Sequence, residues 1–87
     1  MGEKEIGVIS HYFGKVSVGI IELSDALKVG DSIRIKGAHD DFIQKIESMQ
    51  IEHVSVPEAK KGDSVGIKVS QLVHQNDKVY KIGGDKE

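Results

Sequence analysis

The sequence predicts a small all-β domain, a six-stranded antiparallel Greek-key barrel, and three observations lead there. Ten glycines stand against one proline, and β-branched residues run throughout, the composition of strands and turns. Asp31 to Gly37 alternates apolar Ile33 and Ile35 with Ser32, Arg34 and Lys36, the period of a half-buried strand. Turn signals separate about six such runs, and no run reads convincingly as a helix.

The elements follow in order. Glu5 to Phe13 (EIGVISHYF) and Lys15 to Leu23 (KVSVGIIEL) flank Gly14, so two antiparallel strands are expected about a tight connection. In the second, Val16, Val18 and Ile20 share one face, and Ile21 and Leu23 take the opposite phase. That slip predicts a bulge or a strand crossing. Ser24 to Asp31 is a turn-rich connection before the Asp31–Gly37 strand. Phe42 to Val54 (FIQKIESMQIEHV) is long enough for one bent strand, bulged where Ile46 and Met49 change parity. A helix competes, because positions 42, 46 and 49 also fit a helical stripe, but the strand fits better. Val56 to Asp63 is a loop, Ser64 to Val69 a strand, and Lys78 to Ile82 the last strand. The core is expected over 5–82, with the tail GGDKE frayed.

Bulk properties restrict function more than they assign it. Eighty-seven residues suit one domain with a modest core. The formal net charge of −2 gives no global attraction to nucleic acid or acidic membrane. Without cysteines there can be no disulfide, thiolate nucleophile or cysteine-ligated zinc. MGEKEIGVIS lacks the apolar run of a signal peptide, puts Ile6 where myristoylation favours Ser or Thr, and precedes no spanning-length stretch. The expected compartment is the cytoplasm, with no membrane partner.

Constellations that could carry chemistry are sparse. His11, His39, His53 and His74 show no helical pairing and no H-E-x-x-H. A metal site would need the fold to gather distant histidines, and none is expected. No serine sits on a nucleophile elbow, so no catalytic residue and no cofactor is expected. Arg34 and Lys36 share a solvent face, Lys68 lies on another strand, and Lys15, Lys45, Lys60 and Lys61 are candidates to lie nearby. As one patch they would track phosphates; scattered among acids, they would protect strand edges and aid solubility. Tyr12 and Phe13 are adjacent, so one ring faces outward, to stack on a base or to cap a barrel end. The candidate contact set is Tyr12, Lys15, Arg34, Lys36 and Lys68.

KVGDSIRIKG and KKGDSVGIKV recur 32 residues apart. The segments between show no such period, so this reads as one strand-entry turn used at two corners, not as a repeat. With the opening IGVISHYFGKVSVGIIEL, the stretch IESMQIEHVSVPEAKKGDSVGIKV and the closing NDKVYKI, these turns resemble the second domain of translational GTPases such as elongation factor Tu. The likeness covers nearly all of Ile6 to Ile82, and as a whole-chain match it most resembles stand-alone translation elongation factor-like proteins. A related barrel is appended to some collagenase-like peptidases.

The resemblance gives the turns physical roles. Gly30 and Gly62 would take positive φ, Asp31 and Asp63 would bond nearby backbone N–H groups, and Leu27 and Ala59 would plug the barrel ends. Gly66 would leave space for a close neighbour. No G-x-x-x-x-G-K-[ST] occurs, so GTP binding is not implied. The implied function is a non-catalytic, translation-related module that engages RNA, the ribosome or a translation-associated protein. The alternative is a protein-interaction or accessory barrel serving a peptidase-like enzyme.

Overall fold

The computed structural model describes residues 3–38 and 41–82. His39, Asp40 and the expected frayed tail therefore lie outside the described residues. Alternation dictates most of the strands: β1 (Glu3–Phe13), β2 (Val18–Leu23), β3 (Leu27–Lys28), β4 (Ser32–Lys36) and β5 (Asp41–Lys45) come first. Then follow β6 (Met49–Ile51), β7 (Val54–Ser55), β8 (Glu58–Ala59), β9 (Ser64–Lys68) and β10 (Lys78–Ile82). In β4 the inward residues are Ile33 and Ile35, and in β9 they are Val65 and Ile67, all buried. With Ile6, Ile9, Ile21, Leu27, Ile46, Met49, Val73 and Val79 they form one aliphatic core.

Eight strands make one antiparallel sheet in the order β5-β4-β10-β1-β2-β9-β6-β7, and β3 pairs with β8 in a separate ribbon. The all-β antiparallel class holds, but the six-stranded barrel expected from the sequence, closed or nearly closed, is corrected to this eight-stranded sheet. The sheet curls until β5, at one end, approaches the end of β9, and no strand ladder closes that seam among the described residues. A side chain spans it instead. Gln44 Nε2 donates to the Lys68 carbonyl at 2.8 Å, and the Ser70 N–H donates to Gln44 Oε1 at 2.9 Å. One amide thus makes the bond pair that a residue on a parallel neighbouring strand would make.

The expected bent strand over 42–54 is also corrected. It is β5, a break at 46–48, and a β6–β7 hairpin. The break has a cause: Ile46 leaves the ladder to enter the core, where its N–H and carbonyl bond Asp31 and Gly30.

That contact belongs to a device used three times. At Lys28–Asp31 and at Lys60–Asp63, the Asp N–H donates to the Lys carbonyl, and Asp Oδ2 accepts from the Lys N–H at 3.0 Å. Gly30 (φ 100°) and Gly62 (φ 95°) occupy the third position, as a type II turn requires. A third copy is His74–Asp77, with Asn76 at φ 79° and the His74 N–H 2.9 Å from Asp77 Oδ2. Each corner then clips one buried residue on a neighbouring segment. Gly30, Gly62 and Asn76 donate to the carbonyls of Ile46, Leu23 and Ile9, whose N–H groups donate to Asp31, Asp63 and Asp77.

A candidate docking groove between two hairpin tips

The sequence predicts a bulge or a strand crossing in the second strand, but β2 alternates without a break. Gly19, Ile21 and Leu23 are buried, while Val18 and Ile20 point to the outer face. The bulge lies opposite, in β1, where the pairing skips Ser10 between Ile9 and His11. The apparent change of phase was an apolar outer face.

That outer face is the floor of a groove of ≈ 690 Å³ over β2, β9 and β6. Gly66 lies beneath Val18 and Ile20: a Cβ there would come within 3.3 Å of Ile20 Cδ1 and 3.4 Å of Val18 Cγ1. The missing side chain lets both aliphatics lie flat against the sheet. One wall is the β1–β2 tip, which turns through Gly14–Ser17 with Ser17 at φ 57° and carries Phe13, Lys15 and Val16. Phe13 and Val16 are 47% and 57% exposed. The other wall is the β6–β7 turn, Glu52–His53, between the paired Ile51 and Val54.

This second turn has φ values of 50° and 67° at two residues that are not glycine. Two positive φ values make a type I′ turn, for which Asn-Gly is the favoured pair because each bulkier residue there is strained. Here both strained side chains line the groove. Ser64 lines it too.

The sequence-derived contact set is dispersed. Tyr12 packs against the core, and Phe13 is the ring left outward, 4.5 Å from that of His11. Lys15 lines the groove, whereas Lys68 and Lys45 line the seam beside Gln44. Arg34 is held in a fork: its Nε and Nη2 donate to Asp41 at 2.7 and 2.8 Å, and Nη1 donates to Glu3 at 2.9 Å. Those bonds raise the guanidinium's pKa further and hold the Asp41 carboxyl below its ordinary value. Lys36 ends the same strand, beside Asp41. Asp31 and Asp63 spend their carboxylates on the corner turns, while Gly30 and Gly62 meet nothing within 4 Å of a would-be Cβ. Among the described residues no cluster of three metal-ligating side chains forms, and no helix is long and apolar enough to cross a membrane.

The chain is similar to part of a protease. It is 46% identical over 77 residues to an uncharacterized protease of Methanocaldococcus jannaschii, covering 87% of this chain and 19% of that one. It is 35% identical over 78 residues to a collagenase of Porphyromonas gingivalis, again covering 87% of this chain and 22% of the relative. The chain thus spans about a fifth of the length of these relatives. Among solved structures it superposes on the C-terminal domain of a candidate U32 peptidase from Geobacillus thermoleovorans, with TM-score 0.86 and 18% identity. That match covers 92% of this chain and 93% of the other; the selenomethionine variant of the same domain gives 0.84. Identity this low shows a shared fold. No protein-family model matches the chain.

These findings overturn the elongation-factor resemblance, and with it the expected association with RNA, ribosomes and protein biosynthesis. The relatives carry protease and collagenase names, and the superposed domains come from a candidate U32 peptidase. The misreading has a physical source. Gly-Asp turns and alternating aliphatics are what a curled sheet needs at its corners, so they mark a scaffold before a function.

Proposed function

We propose that this chain is a non-catalytic accessory module of a peptidase-like protein, and that it works by binding polypeptide at the groove. The observation that carries this reading is the 77-residue likeness confined to 19% of a much longer protease. A unit of this size with its own aliphatic core is an attachment to such a protein, and the larger remainder has the room for catalysis. The groove supports the binding role: its floor is Val18 and Ile20, its rim carries exposed Phe13 and Val16, and surfaces of this kind mark interaction sites.

The test is a deletion and a graft in the Porphyromonas gingivalis collagenase. Removing the segment that matches this chain is expected to reduce cleavage of a polypeptide substrate at least several-fold while sparing a short peptide substrate. Grafting this chain in its place is expected to restore the former. Equal loss on both substrates, or no loss on either, overturns the reading.

A further inference from the structure

We infer that the groove binds a short extended peptide whose apolar anchor is flanked by one acidic and one basic side chain. This deepens the proposed function by naming what the site holds, and it rests on that reading only for where the peptide comes from.

The size of the groove sets the first limit. A volume near 690 Å³ lies in the range of sites that enclose small or peptide-sized ligands. An extended segment fits that space.

Strand pairing sets the second. The floor strands are interior, since β2 bonds β1 and β9, and β9 bonds β2 and β6. No free ladder is offered there, so a peptide cannot join as an extra strand and must be held through its side chains. Val18, Ile20 and the rim residues Phe13 and Val16 then demand an apolar anchor.

Charge sets the third. Away from the groove some ionic groups are committed to one another: Arg34 to Asp41 and Glu3, Lys4 to Asp25, Lys78 to Glu5, Lys81 to Asp31. At the groove, Lys15 on one wall and Glu52 on the other make no ion pair among the described residues. A carboxylate beside Lys15 and an ammonium or guanidinium beside Glu52 complete both. The strained φ values of Glu52 and His53 fit the same picture, because strain of this kind collects at ligand clamps.

The test is an ¹⁵N–¹H titration of the full chain with three synthetic heptapeptides. They share an Ala-Leu-Phe-Leu-Ala centre and end in Asp and Lys, in two Asp, or in two Lys. Saturable shifts are expected at the amides of Phe13, Val16, Val18, Ile20 and Gly66, tightest for the mixed peptide by about two- to five-fold, the scale of one exposed ion pair. In Lys15→Glu the preference should pass to the two-Lys peptide, a reversal that general loosening of the fold cannot produce. No saturation at millimolar peptide, shifts centred elsewhere, or an unchanged ranking in Lys15→Glu would sink the inference. Shifts of the same amides on raising protein concentration without peptide would assign the groove to a second copy, and equally overturn it. Free-peptide binding and the collagenase deletion are independent readouts, so failure of one reading is distinguishable from failure of the other.

Discussion

Gly30, Gly62 and Asn76 hold one position of one turn, at φ 100°, 95° and 79°. Around Gly30 and Gly62 nothing lies within 4 Å of a would-be Cβ, so any cost of a side chain there is backbone strain alone. Gly30→Ala and Gly62→Ala are each expected to destabilise by about 1–2 kcal/mol, lowering Tm by about 4–8 °C per kcal/mol in a thermal melt. Asn76→Ala should cost less than either, because Asn76 already carries its Cβ at positive φ and loses only the local polar compensation of its amide. The third corner was illegible in the sequence: HQND shares only the aspartate with KVGD and KKGD, while the geometry needs only a residue tolerant of positive φ. Asp41 supports a prediction in pH. Hydrogen bonds from Arg34 depress its carboxyl in the folded state, so the pair's stabilisation is complete above the unfolded value near pH 4. It is lost as pH falls through the lower folded value. Arg34→Met should therefore show a smaller drop in urea midpoint than the wild type between pH 5 and about pH 2.

Two elements explain why the groove was harder to read than the fold. In β4 and β9 one face is polar, so alternation announces both strand and core. In β2 the outer face carries Val18 and Ile20; apolar residues on both faces look like a shift of register when only one face is supposed to be buried. The useful signal was present, since a strand that is apolar on both sides has something to cover on each. The β6–β7 turn was hidden differently. Glu52-His53 is a poor type I′ pair, so nothing in the sequence advertised a hairpin there. Restoring the favoured Asn-Gly pair, with Glu52→Asn and His53→Gly combined, is expected to raise stability by about 1 kcal/mol or more. The same double variant should weaken peptide binding at the groove, and paired urea denaturation and titration would read both effects. Greater stability with undiminished affinity would separate the strain from the site.

For the whole molecule, the three corners act as clips that join segments distant in sequence. The amides of Ile9, Leu23 and Ile46 each donate to a corner aspartate carbonyl beneath buried side chains. Hydrogen–deuterium exchange should find these three among the slowest, near the limit of global unfolding, and exchanging together. The all-β class and most strand positions were legible because alternation and turn chemistry are local. Closure was not, because it depends on whether β5 meets a strand or a side chain across the seam. The seam also bears on colloidal behaviour. β5 is an end strand of the sheet with Ile43 exposed, and an open edge beside an exposed aliphatic is a template for pairing between molecules. Gln44 occupies the facing positions at Lys68 and Ser70 with a side chain that cannot propagate a ladder. One amide therefore withholds two backbone groups from a further strand at this end of the sheet, while the other end, β7 with exposed Val54, keeps its edge open.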